Sequence, residues 1–68
     1  MPYVNIKITR EGATSAQKAE IIKGVTDLLA RVLDKNPATT FVVIDEVDLT
    51  DWGVGGISVE ELRKKEKG

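Results

Sequence analysis

The chain has 68 residues, 41% of them hydrophobic and 31% charged, with a formal net charge of −1 and neither Cys nor His. One small domain, residues 1–68, is all this length can hold, and the core of so short a chain contributes only about 3–5 kcal/mol. The composition excludes a disulfide framework, a zinc site built on Cys and His, and any Ser-His or Cys-His nucleophile pair, which leaves association between subunits as the stabilising device.

In residues 2–9, Val4, Ile6 and Ile8 alternate with Asn5, Lys7 and Thr9. That period of two predicts a strand with one buried face. A turn-rich segment, residues 10–15, follows, and Thr14 with Gln17 has the spacing of a capping box at a helix start. From there to about Leu33, Ala19, Ile21, Ile22, Val25, Leu28, Leu29, Val32 and Leu33 recur at steps of three and four, the pattern of an amphipathic helix. Its polar face places Asp27 and Arg31 in the acid-first i,i+4 order, worth a few tenths of a kcal/mol. Gly24 within it costs about 1 kcal/mol relative to Ala, and close approach of helix to sheet is the expected compensation. Pro37 ends the helix, because it disfavours helical geometry at Asn36 and cannot continue the ladder.

Residues 39–47 contain the continuous run Phe41, Val42, Val43, Ile44, which predicts a strand buried on both faces. Strand, helix and strand form a βαβ unit, so the two strands are expected to be parallel. One helix covers one face of such a sheet. The other, carrying Phe41 and Val43 or their alternates, calls for a second subunit. Trp52 then leads into a segment with glycines at 53, 55 and 56, suited to a tight turn, and Ser58 with Glu61 again has capping-box spacing.

Residues 1–58 carry six basic and eight acidic side chains, and residues 59–68 four and three. The short basic run at Arg63, Lys64 and Lys65 does not make a nucleic-acid surface. No apolar run approaches the roughly 20 residues of a membrane span, so neither nucleic acid nor membrane is an expected partner and a cytoplasmic location is expected. Carboxylates alone suit Mg²⁺ or Ca²⁺, and neither metal nor cofactor is expected.

Pro2 directly follows the initiator methionine. Removal of Met1 would leave it a secondary amine, and an α-amino group titrates near about 7.7–8.0, lower beside apolar surface, which suits a general base. The plainer alternative is a proline that starts an edge strand, where a missing N–H costs nothing. Asp45 and Glu46 are adjacent, and neighbours on a strand point to opposite faces, so they are expected to be structural rather than a catalytic dyad.

The opening Pro2-Tyr3-Val4-Asn5-Ile6-Lys7-Ile8, the Glu11-Gly12 loop, Gln17-Lys18, the helix end through Pro37, the strand through Glu46-Val47, and Trp52 before its glycines together resemble the 4-oxalocrotonate tautomerase family of amino-terminal proline enzymes. The resemblance covers about residues 2–59. It implies an α/β (α+β) protomer with parallel β-α-β strands and a short C-terminal hairpin, dimers that join sheet to sheet, and a homohexamer built as a trimer of dimers. It further implies a cofactor-independent tautomerase in which Pro2 moves a proton within a small unsaturated 2-hydroxy or 2-oxo acid. Trp52 would form an apolar wall beside Pro2, or else serve as an interface anchor. The family's two arginines are replaced, the first by Ala13 or Gly12 and the second by Phe41, which turns the expected substrate from a diacid toward a monoacid such as phenylenolpyruvate. Arg10, just past the first strand, is a candidate to bind the carboxylate, or else a solvated loop arginine; Arg63, Lys64 and Lys65 could cap a neighbour's pocket or simply remain solvated. A non-catalytic oligomeric protein, and a proline-dependent hydratase or dehalogenase, are the alternative functions.

Overall fold

Period-two alternation at the amino terminus does form a strand, β1 (Tyr3–Thr9), and the apolar run forms β2 (Phe41–Val47). These come from a computed structural model that describes residues 1–67; Gly68, the last residue of the domain read over 1–68, lies outside the described residues. The strands pair in parallel from Tyr3 opposite Phe41 to Thr9 opposite Val47. Between them runs α1 (Ser15–Leu33), and after β2 come a single helical turn (Leu49–Asp51), the hairpin strands β3 (Gly53–Val54) and β4 (Ile57–Ser58), and α2 (Val59–Lys67). No helix among the described residues is long and apolar enough to cross a membrane.

The Thr14–Gln17 capping box forms in full and the Ser58–Glu61 one in half. The Gln17 N–H donates to the Thr14 hydroxyl at 3.1 Å while the Thr14 N–H donates to Gln17 Oε1 at 2.9 Å, satisfying two of the free donors at the helix start. At α2 the Glu61 N–H donates to Ser58 Oγ at 3.2 Å. Asp34 closes α1 in the left-handed region at φ 55°. A one-turn helix, Pro37–Thr39, capped by the Asn36 side chain, then redirects the chain into β2.

α1 covers the sheet face carrying Val4, Ile6, Ile8, Val42 and Ile44, all half-buried. An ion pair from Lys18 on α1 to Glu46 on β2 closes that layer. The opposite face is open: Tyr3 is 64%, Phe41 50% and Val43 40% exposed. The expected burial of β2 on both faces is therefore half realised in one chain. The apolar stripe of α1 is also wider than the sheet beneath it. Val25 and Leu29 turn inward, whereas Ile21, Ile22, Leu28, Val32 and Leu33 stay exposed. Val59 is the one buried side chain among the described residues.

Two local expectations are corrected. A Cβ built on Gly24 meets no atom within 4 Å, so no close helix-to-sheet approach within the chain offsets that glycine. Asp27 pairs with Lys23 at 2.7 Å rather than with Arg31. Its carboxylate is within a helical turn of cations on both sides, all in water, where the preference is worth only tenths of a kcal/mol.

The accessible surface is 5053 Å², against about 4,200 Å² for a compact 7.4 kDa monomer. The radius of gyration is 15.7 Å where roughly 11 Å is usual for this length. β3, β4 and α2 extend beyond the sheet, giving a body 48 × 24 × 16 Å.

Thr14→Ala should lower stability by about 1 kcal/mol in chemical denaturation, with Thr14→Ser close to wild type. Gly24→Ala should raise it by about 0.5–1 kcal/mol, since nothing in the chain opposes the added methyl. The Lys18 hydrogen bond holds the Glu46 carboxyl below its ordinary range. A carboxyl lowered in the folded state stabilises at pH above its unfolded value, and that contribution fades as the pH drops below about 4.3. Glu46→Gln should accordingly flatten the acid limb of the stability–pH curve, measured by urea unfolding.

Candidate functional site

Pro2 lies one residue ahead of β1, half-buried, and its carbonyl accepts from the Phe41 N–H at 3.0 Å. The hydrogen bond continues the parallel ladder and brings the first residue of β2 beside Pro2. Two of the residues singled out in the sequence are thus brought together by one pairing register. Tyr3, opposite Phe41, shares its open face.

Arg10 and Trp52 lie elsewhere. The Arg10 N–H donates to the Val47 carbonyl at 2.8 Å, which fixes it at the far end of the sheet. Eight residues separate it from Pro2, about 26 Å of extended chain. Its guanidinium is held by two acceptors: Nε donates to Asp48 Oδ1 at 2.7 Å and Nη2 to the Glu46 carbonyl at 3.2 Å. The hydrogen bond to Asp48 is the main reason that its pKa lies above the ordinary arginine value. Arg10 does not reach Pro2 of its own chain.

Trp52 ends the turn after β2 and is half-buried, its carbonyl accepting from the Val59 N–H at 2.8 Å. The hairpin beyond it reverses at Gly55 (φ 62°) and Gly56 (φ 90°). Positive φ at both central residues is what a tight type I′ connection demands, and glycine adopts it without a Cβ clash. α2 folds back toward the loop after β1, where Arg63 pairs with Glu11. Glu11 also accepts from the Thr9 hydroxyl, and Arg63 is the chief cause of its lowered pKa. Lys64 stands 3.9 Å from Glu60. Arg63 and Lys64 therefore have acidic partners within the chain.

Asp45 and Glu46 diverge as strand alternation requires. Asp45 accepts from Asn5 at 2.8 Å and Lys7 at 3.0 Å on the open face, whereas Glu46 meets Lys18 beneath α1. Gly12, at φ 90°, and the half-buried Ala13 occupy the loop and bring no cation to it. Pro2 and Phe41 thus stand at one end of the sheet and Arg10 at the other, while Trp52 follows the turn after β2. The separation was not legible in the motifs, because it follows from the parallel register and the direction in which the hairpin leaves the sheet.

The family model described as "Tautomerase enzyme" matches residues 2–62. The chain is 57% identical over 65 residues to a probable tautomerase K2 of Dickeya dadantii, covering 96% of this chain and 97% of that one. The crystal structure of DmpI from Helicobacter pylori superposes with a TM-score of 0.86 at 49% identity, covering 93% of this chain and 97% of that chain. A heterohexamer 4-oxalocrotonate tautomerase from Chloroflexus aurantiacus gives 0.81 at 38% identity, covering 93% and 100%. With its parallel β-α-β core, its glycine hairpin and these likenesses over nearly its whole length, the chain belongs to the tautomerase family, among the homologues of 4-oxalocrotonate tautomerase.

Proposed function

We propose that this protein is a cofactor-independent isomerase that interconverts the enol and keto forms of a small unsaturated 2-hydroxy or 2-oxo acid, with Pro2 as acid and base. Family membership supports the reaction class. The observation that carries the residue is the position of Pro2, the first residue after Met1, held beside Phe41 by a backbone hydrogen bond. Removal of Met1 turns the Pro2 nitrogen from an amide into an amine. An apolar surrounding in the assembled pocket would disfavour the protonated form and keep that amine available as a base. The amine takes the proton from the enol hydroxyl and the resulting ammonium returns it to a carbon of the unsaturated chain. One C=C is replaced by one C=O, and no atom is gained or lost.

Pro2 and Arg10 lie at opposite ends of one chain's sheet, so in this reading a complete site is assembled between copies. Two copies set antiparallel bring the Arg10 end of one to the Pro2 and Phe41 end of the other. Trp52 would then wall the pocket and Arg10 would hold the substrate carboxylate. The assembly in this reading is a homohexamer, a trimer of dimers; a relative 38% identical is a heterohexamer. Phe41 beside the base favours a monoacid with an apolar tail, of the phenylenolpyruvate kind, over a diacid.

With Met1 removal verified by intact mass, Pro2→Ala should lower kcat/KM for ketonisation of phenylenolpyruvate or 2-hydroxymuconate by roughly 100-fold or more. Equal rates for the two processed proteins would sink the proline mechanism, and rates at the uncatalysed background for both would favour a non-catalytic oligomer. Arg10→Ala should lower kcat/KM by about 10-fold or more through KM, the loss expected for a charged hydrogen bond. Phe41→Arg should raise the ratio of diacid to monoacid kcat/KM by roughly 10-fold, read with the same two substrates.

A further inference from the structure

Arg10 is held by consecutive residues at the end of β2. Its backbone N–H donates to the Val47 carbonyl at 2.8 Å, its Nη2 to the Glu46 carbonyl at 3.2 Å and its Nε to Asp48 Oδ1 at 2.7 Å. The next residue is tied down as well, since Glu11 accepts from Arg63 of α2 and from the Thr9 hydroxyl. Backbone, guanidinium and the following side chain are therefore all fixed to elements of the same chain.

Stability does not account for the Asp48 contact. The side chains of Arg10 and Asp48 are 57% and 58% exposed, and an ion pair so open to water contributes little to folding. What the contact fixes is direction. With Nε and one Nη2 proton engaged, both Nη1 protons and the other Nη2 proton remain, enough for a two-point contact with a carboxylate. Because Asp48 is bonded at Nε, a ligand carboxylate can dock on Nη1 without displacing it.

We propose that Asp48 is a positioning residue: with the Glu46 carbonyl it aims the Arg10 guanidinium so that the free Nη1 protons meet the substrate carboxylate. The inference rests on the role given to Arg10 above and deepens it. A loose arginine gives up rotamer freedom when its ligand arrives, and that loss weakens binding. One already held by its own chain has given it up on folding. The signature belongs in KM, because the aim of the guanidinium acts on the carboxylate and not on the proton that Pro2 moves.

Steady-state ketonisation of phenylenolpyruvate by the full chain tests the assignment, with Met1 removal verified by intact mass and folding by circular dichroism. Asp48→Ala should raise KM by roughly 5-fold and leave kcat within about 2-fold of wild type. Asp48→Asn, whose amide oxygen still accepts from Nε, should restore most of that loss. In an Arg10→Ala background Asp48→Ala should cost nothing further, because a residue that acts through Arg10 then has nothing to position. NMR of the arginine Nε–H resonances reads the same contact without turnover. In the wild type the Arg10 Nε–H should exchange with solvent roughly 10-fold more slowly than that of the exposed Arg31, and Asp48→Ala should abolish the difference. An unchanged or lowered KM in Asp48→Ala, an equal loss with and without Arg10, an Asp48→Asn as impaired as Asp48→Ala, or an Arg10 Nε–H that exchanges like that of Arg31 overturns the proposal. An Arg10→Ala enzyme with wild-type KM instead defeats the reading of Arg10 itself, and the proposal falls with it.

Discussion

A two-stranded parallel sheet spanned by one helix has a second face that the same chain is too short to cover. Most of the structure follows from that constraint. Val4, Ile6, Ile8, Val42 and Ile44 find shelter under α1, and Tyr3, Phe41 and Val43 find none. With one buried side chain among the described residues, a lone protomer has little apolar burial to set against its chain entropy. The extended hairpin and α2 compound the shortage, since they add surface faster than they add core. In the proposed assembly copies of the chain supply what the chain lacks, and the fold's relatives include a heterohexamer.

The same parallel arrangement governs the chemistry. A βαβ unit puts both strand starts at one end and both strand finishes at the other, so Pro2 neighbours Phe41 while Arg10 neighbours Val47 and Asp48. The residues of interest are split in two by the length of a strand. Association that completes the core can therefore complete the site as well, and stability and activity then depend on the same contacts. Charge is distributed to permit this. Lys7 with Asp45, Arg10 with Asp48, Lys18 with Glu46 and Arg63 with Glu11 are all satisfied within the chain.

Local signals were legible because local physics decides them. Thr14 with Gln17, Ser58 with Glu61, the alternation of Val4, Ile6 and Ile8, and the positive-φ glycines at 55 and 56 all act within a few residues, and each forms where its spacing predicts, the Ser58 box in half. Readings that needed a partner distant in the chain fared differently. Gly24 suggested a close approach that the open space around it does not contain. Arg10 was a candidate for the pocket of its own chain, and the ladder carries it to the other end. Asp27 had two cations at equal spacing, and the helix alone could not rank them.

From the sequence by itself come the order of elements, their caps and the parallel pairing, since periodicity, short-range hydrogen bonding and chain length settle these. The family, too, is written in the order and spacing of its motifs. The tertiary structure alone decided which face of the sheet is open, that Asn5, Lys7 and Asp45 close into one network there, and that Pro2 and Arg10 stand at opposite ends. Those facts depend on register and on the path of the hairpin, which are set by contacts between residues some forty positions apart, beyond the reach of any local pattern.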